Sequence, residues 1–318
     1  MTDEDDTHSA HPSLQSADAG QAKGPIVFVH IPKTAGTSII HYMMRQIPED
    51  QFAPVFVGDF DAIGTSNPAY RVFWGHFFYS KIKTLVPNGF YMTFLRDPYA
   101  RALSQYKSWH NPARFPADDP WRAQMTAEEI ADIELAQKAS FDEFVLAENP
   151  RFDSQLISTQ TVMLSDHPYG HPDMLASAKK NLELFDFVGL VERFDESLSL
   201  LRSHFPEFGD YALPTESENR GMTVDGLASD AARDRLEKML MDDIELYEHG
   251  KALFEKNTAA KAKQPASRGD ITFRTYGDGS GVDKQVFDGE GNWLSVYTPE
   301  GKALAEQFPA NAWALNAT

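Results

Sequence analysis

The 318-residue sequence contains no cysteine. That absence excludes disulfides, thiolate metal sites and a cysteine nucleophile. Long apolar runs are also missing: none approaches the roughly 18 residues that a membrane-crossing helix needs. Met1 to Lys23 is acidic and rich in Ala, Ser, Asp and His, with no apolar core of signal-peptide length, so a cytoplasmic location is the expectation. Positive charge is scarce: 29 Lys and Arg stand against 47 Asp and Glu, a formal net charge of −18. Such a surface repels nucleic acid and other polyanions over a Debye length of about 8–10 Å. Any anion must therefore be caught in a locally basic pocket. The common phosphate-binding triplet Gly-Lys-Ser/Thr is absent as well.

What is present is a large apolar inventory. The chain is 42% hydrophobic, with 22 Phe, 11 Tyr and 5 Trp, enough for one big α/β domain or two ordinary ones. Residues 1–24 are expected to form a disordered acidic tail. Ile26-Val27-Phe28-Val29 reads as a buried strand. Pro32-Lys33-Thr34-Ala35-Gly36-Thr37-Ser38 follows, then a helix start with Thr37 or Ser38 available as N-cap. A strand, tight turn and helix aim backbone N–H groups at an anion, and the helix dipole adds to the attraction. Gly36 permits close approach, and Lys33 supplies a cation at the mouth of the turn.

A second strand is read at Val72 to Trp74, with Gly75-His76 just past its end, where ligands of open parallel sheets bind. His76 there is either a catalytic group or a core-edge histidine bonded to backbone. Phe90 to Leu95 is the next strand and leads into Arg96-Asp97-Pro98, a helix start with Asp as cap and Pro at the first position. Arg96, Arg101 and Ser104 surround this junction and read as a second anion site, or else Asp97 and Arg101 form a local pair.

Further helices are expected at Thr126 to Leu135, from a capping-box pattern, at Ser140 to Leu146, weakly at Gln155 to Met163, and at Leu175 to Leu184. A strand follows at Phe185 to Val191, then a helix at Glu192 to His204 and a long amphipathic helix at Ser229 to Lys256. Residues 107–125 read as loop, and Pro54 to Val57 as a short strand. His167 and His171 are four apart, but Pro168, Gly170 and Pro172 deny the helix that a histidine metal pair would use, so no metal is expected. From residue 257 the sequence reads as a linker and a small β-rich extension of Gly-turn hairpins, closed by a short helix at Pro299 to Phe308.

The motifs together resemble a known family. The strand and Pro-Lys-Thr-Ala-Gly-Thr-Ser resemble the 5′-phosphosulfate loop of sulfotransferases that use 3′-phosphoadenosine 5′-phosphosulfate (PAPS). Leu95 to Arg101, with Ser104 and Tyr106, resembles their 3′-phosphate motif. Trp74-Gly75-His76, Phe187 to Asp195 and Asp243 to Tyr247 resemble the branch that includes heparan sulfate 2-O-sulfotransferase and related carbohydrate and bacterial enzymes.

The resemblance implies a P-loop-like three-layer sandwich over residues 25–256, with a central parallel sheet flanked by helices. It implies PAPS as donor, adenosine 3′,5′-bisphosphate as product, no metal, and a hydroxyl acceptor, with a carbohydrate the first expectation. By the same resemblance, Lys33, Thr34, Ala35, Gly36, Thr37 and Ser38 hold the 5′-phosphate, and Lys33 also stabilises the leaving oxygen. Arg96 and Ser104 hold the 3′-phosphate with help from Arg101. Arg220-Gly221 resembles a cofactor-covering loop, and His76 is the general base.

The chain departs from the family pattern in three respects. Some relatives carry a second His where Trp74 stands, so proton removal rests on His76. A membrane anchor like that of the Golgi relatives is not expected from this sequence. The acidic surface argues against a heavily sulfated acceptor. Two competing classes remain. A P-loop phosphotransferase would need the missing triplet and a Mg²⁺-ligating acid at a strand end. A binding module that had lost catalysis would have little reason to carry both Lys33 and His76.

Overall fold

The computed structural model describes residues 24–53, 70–114, 116, 122, 125–209, 223–262, 272–276, 283–287 and 293–294. The expectations at Pro54 to Val57, at Arg220-Gly221 and at Pro299 to Phe308 lie outside the described residues.

Four short apolar runs form the central sheet: β1 (Ile26–Val29), β2 (Val72–Gly75), β3 (Phe90–Leu95) and β4 (Phe187–Leu190). Their order is β2-β1-β3-β4 and every pairing is parallel. Parallel strands are covered on both faces, which is why these segments read as continuous apolar runs instead of alternating ones. Val29 lies opposite Gly75, and Leu95 opposite Leu190. The carboxyl ends of all the strands therefore share one edge. The chain leaves β1 toward β2 on one side and leaves β3 toward β4 on the other. The order reverses between β1 and β3, and the crevice at such a reversal is where open α/β sheets bind ligands.

Helices α1 (Gly36–Met44), α2 (Tyr79–Leu85) and α3 (Pro98–His110) follow the first three strands. Then come α4 (Ala127–Lys138), α5 (Phe141–Leu146), α6 (Pro150–Leu156), α7 (Thr159–Leu164) and α8 (Met174–Leu182) before β4. After it stand α9 (Phe194–His204) and the long α10 (Asp230–Ala262). The result is a parallel sheet between helical layers, the α/β architecture expected.

Two apolar cores hold it. One unites the strands with Ile39, Met43, Ile82, Leu182, Leu201 and Phe254. The other contains no strand residue and joins Leu103, Phe144, Phe152, Leu156, Leu236 and Leu240. A further antiparallel sheet is formed by β5 (Thr272–Tyr276), β6 (Asp283–Phe287) and β7 (Trp293–Leu294).

Several boundaries differ from the sequence reading. α3 continues to His110, into the stretch read as loop. The weak helix at Gln155 to Met163 is two helices, broken at Ser158, whose φ is 43°. α10 continues to Ala262, past the expected linker start. Neither Thr37 nor Ser38 caps α1. The cap is Ala35 in the left-handed region, and both hydroxyl residues lie inside the first turn.

Candidate active site

The loop after β1 is built from unusual backbone. Lys33 has φ 72° and Ala35 has φ 63°, left-handed values that cost a non-glycine residue about 1–2 kcal/mol each. Thr34 lies between them, fully buried, and its Oγ1 donates to the Ile31 carbonyl at 2.8 Å. Its backbone N–H is aimed at the same carbonyl at 3.4 Å. Thr34 thus ties the turn from within, with both of its donors turned toward the Ile31 carbonyl.

The turn delivers the chain into α1 with no side-chain cap. The first N–H groups of a helix have no intrahelical partner, so those of Gly36, Thr37 and Ser38 are oriented to meet an external acceptor. No acidic side chain lies in that first turn to take its place.

His76 stands beyond β2, on the strand next to the loop. Its Nδ1 lies 2.7 Å from the His30 carbonyl oxygen. A carbonyl only accepts, so Nδ1 carries the proton, and in the neutral ring Nε2 keeps its lone pair. One nitrogen of His76 is thus anchored to backbone, as the core-edge reading expects.

The sequence reading passed over His30. Its ring stacks on Phe28 with centroids 5.4 Å apart and lies against His76 at 4.5 Å. Burial first, then the charges of His76 and Lys33, hold its pKa down to about 3, so it is neutral at ordinary pH. Its position directly after β1, one residue before Ile31 and three before Lys33, was the available signal.

Arg96 follows β3, on the other flank of β1. Its Nη1 donates to the Lys33 carbonyl at 3.2 Å, which ties the second anion motif to the left-handed loop. Burial pushes its pKa down, while Glu192 and Asp97 oppose that shift. The Arg96 backbone is clamped by a buried glutamine: Gln160 Oε1 accepts from Arg96 N at 3.0 Å, and its Nε2 donates to Arg96 O at 2.9 Å. Glu192, just past β4, accepts from Asp97 N at 3.1 Å and from the Tyr247 hydroxyl at 2.7 Å. Asp97 caps α3 as expected, accepting from Ala100 N at 2.8 Å. Ser104 is half-buried about two turns beyond Asp97 along α3.

Arg101 sits deeper in the fold. Its guanidinium is fully buried, and its Nη2 donates to the carbonyls of Gln155 and Leu156 and to Thr159 Oγ1. Its Nε lies 3.9 Å from Asp243, so in this structure it braces the helical layer. The alternative local pair is not formed, because Asp97 caps its own helix and Asp243 comes from α10.

Among the described residues one group has the spacing of metal ligands: His167, His171 and Asp173, with atoms within 4.8 Å. The two rings stack nearly parallel at 4.1 Å, and His171 Nδ1 already accepts from Asp173 N at 3.1 Å. Among the same residues no helix is long and apolar enough to cross a membrane.

The sheet edge therefore gathers a strained cationic loop, an uncapped helix start, an anchored imidazole and a clamped arginine. The chain is 25% identical over 269 residues to heparan-sulfate 6-O-sulfotransferase 3-B of Danio rerio, covering 72% of this chain and 63% of that one. It is 24% identical over 276 residues to heparan-sulfate 6-O-sulfotransferase 2 of Gallus gallus, covering 72% and 66%. The chain thus spans about two thirds or less of the curated relatives it matches. Mouse sulfotransferase SULT7A1 complexed with PAP aligns at 13% identity with a TM-score of 0.32, over 68% of this chain and 63% of that chain. A family model described as the Sulfotransferase family matches residues 21–250, a span that contains every strand of the parallel sheet and every residue of the edge just described, and the chain belongs to that family.

Proposed function

We propose that the chain transfers the sulfuryl group of PAPS to a hydroxyl of a carbohydrate or glycoconjugate. The observation that carries the chemistry is the anchored His76, whose Nδ1 is tied to the His30 carbonyl one strand away from the Lys33 loop. In this reading His76 Nε2 takes the acceptor's hydroxyl proton as the acceptor oxygen bonds to sulfur. The bond from sulfur to the 5′-phosphate oxygen breaks, and its electron pair leaves with that oxygen. Lys33 stabilises the charge that develops there, an interaction worth more in the transition state than in the ground state.

The N–H groups of Gly36, Thr37 and Ser38 hold the 5′-phosphate, while Arg96 and Ser104 hold the 3′-phosphate across the crevice between β1 and β3. Little covalent work falls to the protein, which positions the reactants and balances charge. The carbohydrate acceptor is supported by the heparan-sulfate relatives, and membership of the carbohydrate branch by Trp74-Gly75-His76.

The test is a thermal shift. Adenosine 3′,5′-bisphosphate is expected to raise the melting temperature without added metal, and ATP–Mg²⁺ to do so less. Equal or greater stabilisation by ATP–Mg²⁺ would overturn the donor assignment. In a radiolabelled-sulfate transfer assay, His76→Ala is expected to keep the nucleotide-induced shift and lose about 10²–10⁴-fold in turnover. Near-full turnover in that variant would remove His76 from the role of base.

A further inference from the structure

We propose that His30 is a positioning residue that sets the base and the anion cradle together, acting as a wedge between His76 and the start of α1. The inference rests on the sulfotransferase reading only for what the two parts do; the wedge itself is geometric. One residue makes each of the contacts concerned. Its carbonyl fixes the His76 Nδ1 proton at 2.7 Å. Its ring forms the wall against which the His76 ring lies, at 4.5 Å. The same ring fills the space beneath Gly36: a Cβ added there would sit 1.7 Å from His30 Nε2 and within 2.2 Å of the adjoining ring carbons. Gly36 is a glycine because His30 occupies that volume. The ring also stacks on Phe28, a fully buried residue of β1.

The wedge must stay neutral to do this, because a cation in that place would repel both Lys33 and a protonated His76. The buried surroundings keep it so, and its Nδ1 is buried without a partner among the described residues. His30 takes no proton from the reaction. It fixes where the proton acceptor and the phosphate-binding N–H groups stand relative to one another.

A double-mutant cycle tests the coupling. Gly36→Ala alone drives a methyl into the imidazole and distorts the helix start, so affinity for adenosine 3′,5′-bisphosphate is expected to fall. The methyl points into the protein, toward His30, so the loss comes from the loop and not from blocking the ligand. His30→Ala vacates the volume that the methyl needs. The double variant is expected to bind about tenfold or more tightly than Gly36→Ala alone. Binding by the double variant no tighter than by Gly36→Ala would overturn the proposal.

The second arm reads His76 directly. In ¹⁵N-labelled protein the His76 ring is expected to be the Nδ1–H tautomer; His30→Ala keeps the carbonyl but removes the ring wall, so the His76 ring is expected to loosen and its ring signals to shift and broaden. His76 ring signals unchanged in the variant would equally overturn the proposal. His30→Ser takes the place of the alanine variant if that one does not fold. Neither arm needs an acceptor. A wild type that fails to bind adenosine 3′,5′-bisphosphate would count against the proposed function, while the ring spectra still decide the wedge.

Discussion

A histidine held neutral in a folded protein leaves a mark on stability. His30 titrates near 6.5 when exposed and near 3 in the fold, because burial and then the charges of His76 and Lys33 oppose its protonation. Between those values the unfolded chain binds a proton that the folded chain refuses. Stability therefore rises with pH across this window, is complete above it, and is lost as pH falls from about 6.5 toward 3. A single such group contributes a slope of up to about 1.4 kcal/mol per pH unit. Urea midpoints followed from roughly pH 4 to 7 should fall on acidification, and in His30→Ala the slope should be shallower by about one proton. Identical slopes in the two proteins would mean that His30 is already charged in the fold. The same residue shows where sequence reading stops. His76 stood out because it follows a strand end beside a glycine. His30 has the same placement after β1, but the Lys33 loop next to it drew the phosphate argument and the histidine went unweighed.

Asp243 on α10 does for α7 what a local side chain does for most helices. Its Oδ1 accepts from Thr161 N and Thr161 Oγ1, both at 2.8 Å, and its Oδ2 accepts from Gln160 N at 3.2 Å. The N-cap residue Ser158 makes no side-chain cap of its own. Burial pushes the Asp243 carboxyl up, against the pull of Arg101 and of these donors. Removing the carboxylate leaves a fully buried guanidinium without its counter-charge, so Asp243→Ala should cost about 3–5 kcal/mol in urea unfolding. Gln160 also clamps the Arg96 backbone, so adenosine 3′,5′-bisphosphate should bind more weakly to that variant even at low temperature, where it is folded. A variant destabilised by less than about 1 kcal/mol would show the ion pair to be dispensable. Local capping was legible: Asp97 on α3 and the Thr126 box on α4 need only neighbours in sequence. The cap on α7 was not, because its acceptor, Asp243, lies more than 80 residues away. The burial of Arg101 was not legible for the same reason: its spacing from Ser104 suggested a shared anion site, while the groups its guanidinium meets, on α6, α7 and α10, lie more than 50 residues away.

The molecule as a whole brings three strand ends to one edge and surrounds them with an acidic surface. The motifs at Lys33, His76 and Arg96 could be read singly, but which strands are neighbours could not. The parallel order with β1 in the middle places the loop between the base and the arginine. The charge, by contrast, was plain from composition, and it makes a prediction about the acceptor. At a net charge of −18, approach by a polysulfated glycan is opposed over about 30 Å at 0.01 M salt and only about 8 Å at 0.15 M. An uncharged oligosaccharide feels no such field. PAPS is an anion in both reactions, so its own salt response cancels in the ratio of the two. Transfer rates to the two acceptors, measured at these ionic strengths, should show the polysulfated glycan gaining several-fold on the uncharged one as salt is added, mainly through a lower KM. A loss on adding salt would reveal a basic acceptor cleft strong enough to outweigh the global field, as counterion release from bound cations demands.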